Sequence, residues 1–544
     1  MSLLSKKILS TFGLSVVLMA GLNSISFSQT VDARRGGTLI YSQDIEPYDW
    51  DLSHDWPVSL LTLGGNVFDR LVRLGSDGQY HPWLAETWQT APDGKSITFH
   101  LRKDVTFHNG EKFNAAAVAA NIDKWTADTN SWNPTGIGLT KYEVLDDYTI
   151  RLDLKAPNAA ALWLMSTASW GFLAPDVINN HSAEVAKNFA VQAGTGPYKV
   201  ESYTPGQGVT LVRNDEYKWA PADYENKGPA HIDKIVVNFV KDPAVRLGAL
   251  QSGQADLIAN VPPVYLSQLQ ADERYIVYNK QATGVPYQLL LNVEKEPTND
   301  LRVRKALRAS FDIKSALNSI YFGHYPQAWS NLAENTPPVG SYNKSLEGSW
   351  NYDPDESNRL LDEAGWKERD AQGYRTKDGK RLEIRWAVRS STIEDQRDTL
   401  GEALQAYARQ VGIALERDLY DTGTFSKVTK EGSYNLTDRP WSTPDAYILT
   451  NSFFSGTSSE TGGNNYSRIK DPHVDELARS LTDSQDNALR ARNAQELQKL
   501  AIENVWSIPI YPRQINLGAQ NKVKGVNFDI AGWLESLQSA WIEK

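Results

Sequence analysis

The stretch Pro82-Trp83-Leu84-Ala85-Glu86-Thr87-Trp88 opens the part of the chain with the clearest local patterns. It leads to Pro92-Asp93-Gly94-Lys95, in which proline, aspartate and glycine each favour a tight turn. Apolar and polar residues then alternate from Ile97 to Leu101, as they do in a strand with one buried face. The region therefore predicts a turn that leads directly into a half-buried strand.

Elements of both kinds continue downstream of this strand. His108-Asn109-Gly110 predicts a second turn, and apolar residues at the spacing of one helix face follow between Val118 and Trp125. Residues 148–154 alternate again and predict another strand. Residues 64–190 therefore predict a mixed α+β unit.

A loop rich in aromatic residues precedes this unit. It follows a β-type run, Gly36–Tyr41, and contains prolines at positions 47 and 57. Binding residues are often found on loops, and aromatic rings stack on small ligands at low entropic cost. We therefore take four residues of this loop as candidate ligand-binding residues: Tyr48, Trp50, His54 and Trp56.

The C-terminal half has the strand and helix order of a parallel sheet. Asp353-Pro354-Asp355-Glu356 combines an N-cap aspartate, a proline in the first turn and a glutamate three residues after the cap, which predicts a helix start. Residues 382–388 predict a strand, residues 400–411 predict a helix, and residues 412–415 predict a second strand. This order is typical of a parallel β-α-β module.

The N-terminus has the pattern of a secretory signal peptide. Lys6 and Lys7 precede an apolar run, Ile8–Leu22, and small residues follow up to Ser28. We predict cleavage after Ser28. The alternative is an uncleaved membrane anchor, but a run of 15 residues is short for a transmembrane span.

Composition and charge exclude several classes of protein. At 544 residues the chain predicts two or three lobes. The absence of cysteine excludes disulfide frameworks, thiolate metal sites and cysteine nucleophiles. Removal of residues 1–28 deletes two lysines and no acid, which leaves 54 basic and 66 acidic residues and a net charge of −12. Such an acidic chain without a basic run predicts no nucleic-acid partner.

Sequence motifs of catalysis and cofactor binding are absent. The chain contains no G-x-S-x-G, no H-E-x-x-H and no phosphate-binding G-x-x-x-x-G-K-[ST] motif, and its eight histidines lack metal-ligand spacing. Gly194 and Gly196 lack the third glycine of a dinucleotide site, and we interpret them as a turn. We therefore predict a protein that is not an enzyme and holds no cofactor or metal.

Several segments, in order, resemble the family 5 bacterial extracellular solute-binding proteins. They are Pro82–Trp88, Asp93-Gly94-Lys95, Phe99–Lys103, Phe107–Gly110, Gly194–Tyr198, Val303–Leu307, Tyr352-Asp353-Pro354 and Leu360–Gly365. The similarity extends over nearly the whole mature chain.

The resemblance implies an α/β fold of the periplasmic binding protein type II class, with two lobes, a hinge and an accessory α+β domain. It assigns residues 30–63, 191–284 and 511–544 to lobe I, residues 64–190 to the accessory domain and residues 285–510 to lobe II. The crossings near residues 285 and 510 are expected to be hinges, which fits Gly284-Val285-Pro286 and Ile508-Pro509.

The resemblance also implies a function. The protein is expected to be a periplasmic, monomeric substrate-binding protein of an ABC importer, which captures a peptide or peptide-like small ligand between closing lobes. It would then deliver the ligand to a permease in the inner membrane. An opine or a sugar-containing ligand is the alternative within the same role, and nickel complexes come last. An extracytoplasmic hydrolase or a ligand sensor would be a different class of function.

One departure from the family bears on the ligand. Peptide-binding members resemble one another in a W-x-x-D segment whose aspartate pairs with the free amine of the peptide. Here Trp441 matches, but the third residue after it is Pro444, so Asp445 can serve only if the loop is shifted by one residue. We take Trp441 and Asp445 as candidate ligand-binding residues.

Three further candidates complete the predicted site. Arg389 follows the predicted strand at 382–388, roughly where some peptide binders carry an arginine that pairs with a carboxylate. Trp132 and Trp386 are candidate stacking surfaces for a ligand.

Overall fold

The computed structural model of the protein describes residues 34–54 and 58–544. The predicted signal peptide and Trp56 lie outside the described residues. The first part of the described chain contains the elements β1 (Thr38–Gln43), α1 (Val58–Val67), β2 (Val72–Leu74), β3 (Tyr80–Pro82), β4 (Ala85–Thr90), β5 (Ser96–Leu101), α2 (Ala115–Ala127), α3 (Asn133–Ile137), β6 (Leu139–Asp146), β7 (Thr149–Leu154), α4 (Ala161–Met165) and α5 (Pro175–Val185).

The second part leads up to the first crossing between the lobes. Its elements are β8 (Tyr198–Thr204), β9 (Gly208–Arg213), β10 (Lys234–Phe239), α6 (Pro243–Ser252), β11 (Leu257–Ile258), α7 (Pro263–Gln270) and β12 (Tyr275–Gln281).

The third part is the longest, and a short C-terminal part follows it. The third part contains β13 (Gly284–Leu291), α8 (Leu301–Ala309), α9 (Ile313–Tyr321), α10 (Pro354–Glu363), β14 (Glu368–Arg369), β15 (Arg375–Lys377), β16 (Lys380–Arg381), β17 (Glu383–Arg389), α11 (Arg397–Gln410), β18 (Ala414–Tyr420), α12 (Thr422–Glu431), β19 (Leu436–Ser442), α13 (Ile448–Phe453), α14 (Pro472–Asp483), α15 (Asn487–Glu503) and β20 (Ser507–Tyr511). The last part contains β21 (Gln514–Gln520), β22 (Val523–Lys524), β23 (Asn527–Phe528), β24 (Leu534–Ser536) and β25 (Trp541–Ile542).

Three larger sheets organise these elements. A seven-stranded sheet in the order β12-β21-β11-β1-β10-β9-β8 is the centre of what we call lobe I, and a five-stranded sheet in the order β18-β17-β19-β13-β20 is the centre of lobe II. The sheet β4-β5-β7-β6, within the predicted α+β unit, is the centre of the accessory domain. β17 and β18 are parallel neighbours, as the β-α-β pattern predicts.

Local sequence signals explain where the helices begin. The Asp353 side chain accepts a hydrogen bond from the backbone N–H of Glu356 at 2.9 Å, and Pro354 occupies the first turn of α10. In the same way, Asn114 caps α2 by accepting from the backbone N–H of Ala117. The cap at Asp353 lies at the helix start that the sequence predicts, whereas the cap at Asn114 is known from the structure alone.

The hydrophobic cores divide the molecule differently from the sheets. One continuous core joins lobe I to the accessory domain and includes Leu39, Ile235, Phe99 and Trp125. Lobe II has a separate main core around Trp386 and the helices α9 and α11. Lobe I and the accessory domain are therefore expected to move as one body, and lobe II as another.

Two short segments carry the chain between the lobes. Residues 282–283 connect β12 to β13, and residues 512–513 connect β20 to β21. The prolines that we associate with the hinges, Pro286 and Pro509, lie a few residues away, inside β13 and β20. Pro286 falls in an irregular stretch of the ladder, where its missing N–H disrupts no regular pairing.

The strand directions bring corresponding edges of both sheets to these crossings. In lobe II, Gly284 at the start of β13 pairs with Ser442 at the end of β19, so the carboxyl ends of β19 and its parallel neighbours face lobe I. In lobe I, β12 ends at the crossing and runs in the same direction as β1. The loops that follow β1, β17, β18 and β19 therefore line the cleft between the lobes.

The turn at Gly194–Gly196 is explained by close backbone packing. The Gly196 N–H donates to the carbonyl of Val67 at 2.9 Å. A Cβ on Gly196 would lie 2.5 Å from the carbonyl carbon of Val67 and 2.7 Å from the carbonyl oxygen of Asn66. Only glycine fits against the end of α1 without displacing backbone atoms.

We expect Gly196→Ala to lower the free energy of unfolding by about 2 kcal/mol, because the added methyl group overlaps backbone atoms that cannot rotate away. Chemical denaturation of the two proteins measures the difference. The matched control is Gly248→Ala in α6, where a Cβ meets no atom within 4 Å. That change should be neutral or stabilise the protein by up to about 1 kcal/mol. An equal effect of both substitutions would contradict the packing argument.

Candidate ligand-binding cleft

The loop after β1 forms one wall of an open cavity at the cleft edge. Tyr48 and Trp132 are 76% and 62% exposed, and they line a cavity of about 690 Å³ together with Asp49, His54 and Thr135. The backbone N–H of Trp132 donates to the carbonyl of Ser53 at 2.8 Å, which holds this wall together. The structure thus brings three predicted residues, Tyr48, His54 and Trp132, to one cavity.

His54 is the centre of an ionic network at this cavity. Its Nδ1 lies 2.8 Å from Asp49 Oδ2, and its Nε2 lies 2.6 Å from Asp128 Oδ2 and 3.6 Å from Asp51 Oδ2. Lys124 Nζ pairs with Asp51 Oδ2 at 2.5 Å. Burial alone would lower the pKa of His54, but the hydrogen bonds and charges of the three carboxylates raise it above its usual value.

The same network is the candidate metal centre among residues 34–54 and 58–544. The atoms that Asp51, His54 and Asp128 offer lie within 4.8 Å of one another. However, both ring nitrogens of His54 are engaged by carboxylates, and the ammonium group of Lys124 already neutralises Asp51. A metal ion would have to displace a proton and a buried lysine, so the arrangement favours an ion-pair network over a metal site.

Trp50 occupies a different place from its neighbours in the loop. It is 1% exposed, and its ring stacks on Phe189 at 4.6 Å and contacts Tyr203 edge-on at 4.8 Å. Its backbone N–H also donates to the carbonyl of Ala186. Trp50 therefore anchors the loop to the core and does not reach the cavity.

The predicted residues of lobe II divide between the two faces of its sheet. Trp386 is 1% exposed and lies in the lobe II core, where its Nε1 donates to Asp438 at 2.8 Å and the guanidinium of Arg417 lies over its ring. Arg389 is half-buried at the carboxyl end of β17, and Trp441 is half-buried near the end of β19. Of these three, Arg389 and Trp441 are placed at the cleft edge, and Trp386 is placed in the core.

Asp445 is committed to a structural role in this structure. It is 4% exposed and forms a buried ion pair with Arg490, and it accepts the backbone N–H of Tyr447 at 2.8 Å just before α13. Burial raises the pKa of Asp445, while the charge of Arg490 opposes that shift. Pro444 lines a small cavity of about 20 Å³ with Trp163 of the accessory domain.

Arg439 is a cleft residue outside the set predicted from the sequence. Its guanidinium lies 5.4 Å from the ring centres of Trp441 and Tyr466 and 5.8 Å from that of Phe425. Its Nη2 donates to the Tyr466 hydroxyl at 3.0 Å. The available signal was its position two residues before Trp441, which places both side chains on one face of the same strand.

The cleft is closed by contacts between the lobes. Trp163 of the accessory domain and Tyr447 of lobe II have ring centres 5.5 Å apart, and the backbone N–H of Ala159 donates to the carbonyl of Thr482 at 2.7 Å. Two-lobed α/β proteins whose parallel strands direct their carboxyl ends to the region between the lobes form a class that binds small molecules in that region.

Comparison with known proteins assigns the family within this class. The family model described as "Bacterial extracellular solute-binding proteins, family 5 Middle" matches residues 79–465, more than half of the chain. The chain belongs to this family, and the predicted resemblance is confirmed. Members of the family are extracytoplasmic binding proteins that take small-molecule ligands and work with ABC permeases.

Individual relatives cover most of the chain. Heme-binding protein A of Haemophilus influenzae is 28% identical over 466 residues, which cover 79% of each chain. A probable D,D-dipeptide-binding periplasmic protein of Escherichia coli is 24% identical and covers 90% of each chain. The structure of NikA from Brucella suis in complex with Fe(III)-EDTA has a TM-score of 0.81 and 26% identity, and it covers 93% of this chain and 100% of that one. The predicted fold class is thereby confirmed.

Within residues 34–54 and 58–544, no helix combines the length and the apolar character that crossing a bilayer requires.

We expect His54→Gln to remove a pH-dependent contribution to the free energy of unfolding. Because the pKa of His54 is raised in the folded protein, its stabilising contribution is fully present below about pH 6.5 and is lost as the pH rises through the folded-state pKa. The stability difference between wild type and His54→Gln should therefore be larger at pH 6 than at pH 9. Urea denaturation at both pH values measures it.

The control for this experiment is His473→Gln, at the exposed start of α14. This variant should follow the wild-type pH dependence. A stability difference for His54→Gln that is independent of pH would show that the network does not depend on the imidazolium form.

Proposed function

We propose that the protein captures a peptide or peptide-like small ligand in the periplasm and delivers it to an ABC permease in the inner membrane. One observation carries the proposal: both lobes direct the carboxyl ends of their parallel strands to the same cleft. Export through the N-terminal signal peptide, with cleavage after Ser28, is part of the proposal, as are the monomeric state and a binding role without catalysis.

The mechanical basis of capture is the division into two bodies. Lobe I (residues 30–63, 191–284 and 511–544) and the accessory domain (64–190) share one core, whereas lobe II (285–510) has its own. Rotation about residues 282–283 and 512–513 would separate Trp163 from Tyr447 and open the cleft to solvent. A ligand that contacts both walls favours the closed form, and the closed form presents a defined shape to the permease.

The two walls of the cleft suit a small amphipathic ligand. Tyr48 and Trp132 offer exposed rings on one side, and Trp441 with Arg389 offers a ring and a cation on the other. Aromatic rings stack on the flat parts of a peptide, while a guanidinium pairs with a carboxylate. The dipeptide-binding relative supports a peptide-like ligand.

Native mass spectrometry of protein isolated from the periplasm tests the proposal. We expect one non-covalent small molecule per chain, which is released on unfolding. A mixed dipeptide library added to ligand-free protein should raise the stability by about 2.7 kcal/mol at a concentration one hundred times the dissociation constant. Steady conversion of an added compound into a product would contradict a pure binding role.

A pair of variants links the binding to the cleft. Trp132→Ala should weaken binding of the released molecule by about tenfold, because an exposed stacking surface is lost. The control is Tyr352→Ala, a partly exposed aromatic residue that packs on Tyr407 of lobe II. Equal effects of the two substitutions on affinity would contradict a ligand at the Trp132 wall.

A further inference from the structure

The segment between β19 and α13 connects the lobe II wall of the cleft to the hinge. This segment, residues 443–447, directly follows Trp441 and Ser442, with which β19 ends at the cleft edge. The backbone N–H of Thr443 donates to the carbonyl of Thr283, in the first crossing between the lobes, at 3.3 Å. A change at Trp441 or at the hinge therefore reaches the β19–α13 segment within a few residues.

The β19–α13 segment is docked on the body that lobe I and the accessory domain form. Pro444 is buried and lines a small cavity with Trp163 of the accessory domain and Trp533 of lobe I. The ring centre of Tyr447 lies 5.5 Å from that of Trp163, and the two ring planes are inclined by 41°. Tyr447 packs both against the core that lobe I shares with the accessory domain and against the lobe II core around α13, α14 and α15. One side chain thus connects the cores of the two bodies.

Bonds within lobe II hold the segment in its docking conformation. Asp445 forms the buried ion pair with Arg490 of α15 and accepts the backbone N–H of Tyr447 at 2.8 Å. The backbone N–H of Ala446 donates to the carbonyl of Pro337 at 2.7 Å. Because these bonds lie inside lobe II, the Tyr447 ring is already oriented when the lobes approach each other, and docking costs little conformational entropy.

The accessory domain meets this part of lobe II with two further elements. The backbone N–H of Ala159, just before α4, donates to the carbonyl of Thr482 in α14 at 2.7 Å. Burial raises the pKa of Tyr80 in β3, the charge of Asp445 adds to this shift, and the charge of Arg490 opposes it. The Tyr80 hydroxyl is therefore close to the ion pair beneath the β19–α13 segment, although it belongs to the other body.

Another contact between the lobes differs in character. Ser267 Oγ of α7 and His324 Nε2 of lobe II lie 3.0 Å apart at an exposed position. Such a pair exchanges its hydrogen bond for bonds to water at little cost when the lobes separate. Separation of Tyr447 from Trp163 instead exposes apolar ring surface to water. The β19–α13 segment should therefore contribute more to the free energy of closure than the exposed pair.

We infer that the β19–α13 segment is a latch: its docking on Trp163 and Tyr80 keeps a measurable fraction of the ligand-free protein closed and sets how long a captured ligand stays in the cleft. The contacts are made between protein side chains and backbone groups, and they add to whatever the ligand contributes to closure. The latch must open before a ligand can leave, so it acts on the rate of release. The inference rests on the proposed function and adds the control of release to it.

Distances between the lobes in ligand-free protein, prepared by unfolding, dialysis and refolding, test the inference. Because the chain contains no cysteine, Lys141→Cys in β6 and Lys427→Cys in α12 place two spin labels selectively at exposed positions of the two bodies. Double electron–electron resonance should resolve an open and a closed form. Tyr447→Ala should lower the ratio of closed to open protein by about tenfold, because the ring contact between the bodies is lost. A single open distance in wild type, or an unchanged ratio in Tyr447→Ala, would overturn the inference.

Further variants distinguish the latch from a general loss of packing. Tyr407→Ala removes a half-buried tyrosine that packs on Tyr352 within lobe II, and it should leave the ratio within about twofold of wild type. Tyr447→Phe keeps the ring and should keep the ratio. If Tyr447→Ala does not fold, as judged by circular dichroism, Tyr447→Leu replaces it with the same expected loss, since leucine packs on lobe II but offers Trp163 no ring. A loss in Tyr407→Ala or Tyr447→Phe as large as that in Tyr447→Ala would contradict the latch.

Release kinetics of a mixed dipeptide library separate the latch from the proposed function. If the library binds, Tyr447→Ala should raise the dissociation rate constant by about tenfold and should not lower the association rate constant. A lower association rate constant with unchanged dissociation would contradict the inference. If the library does not bind, the peptide-like ligand of the proposed function fails, whereas the distances in ligand-free protein still decide about the latch.

Discussion

The structure depends on one topological constraint. Within residues 34–54 and 58–544, the chain passes between its two lobes only through residues 282–283 and 512–513. Each crossing joins strands of different sheets, and the pairing of Gly284 with Ser442 and of Gln281 with Gln514 sets the direction of every parallel strand nearby. In both sheets, the carboxyl ends of the parallel strands therefore face the cleft. Loops that carry function collect there because the carboxyl ends of parallel strands are where side chains from several strands converge.

The crossing segments are also tied to the rest of lobe II by charge. Arg397 is buried against Tyr287 and Tyr511, residues of the two crossing strands, and its Nε donates to the Tyr511 hydroxyl at 3.1 Å. Glu394 accepts from Arg397 and also from Arg513, which lies in the second crossing. The hinge thus consists of two short backbone segments, and side-chain contacts hold these segments in place. This arrangement favours rotation of whole lobes over local unfolding.

Much of the fold could be predicted because its signals are local. The cap at Asp353, the alternation over residues 97–101 and the parallel module after residue 382 each lie within a short window of sequence. The candidate site was less predictable because the role of each side chain depends on partners that are distant in the sequence. The pair of Asp445 with Arg490 joins residues 45 positions apart, and nothing near Asp445 indicates it. Trp50 and Trp386 resemble the exposed Trp132 in sequence, and only tertiary packing buries them.

The charged side chains on the two sides of the cleft differ in how far they are already paired. Closing the lobes removes water from Arg439, which has no carboxylate in an ion pair among residues 34–54 and 58–544, and burial of a cation without a counter-ion costs more than its aromatic contacts return. A closed cleft that buries this cation without a counter-ion is therefore electrostatically unfavourable. On the side of the loop after β1, His54 and Lys124 already balance the charges of the nearby carboxylates. Closing the lobes therefore adds no comparable electrostatic cost there. The electrostatic cost of closing the lobes therefore falls mainly on the lobe II side of the cleft.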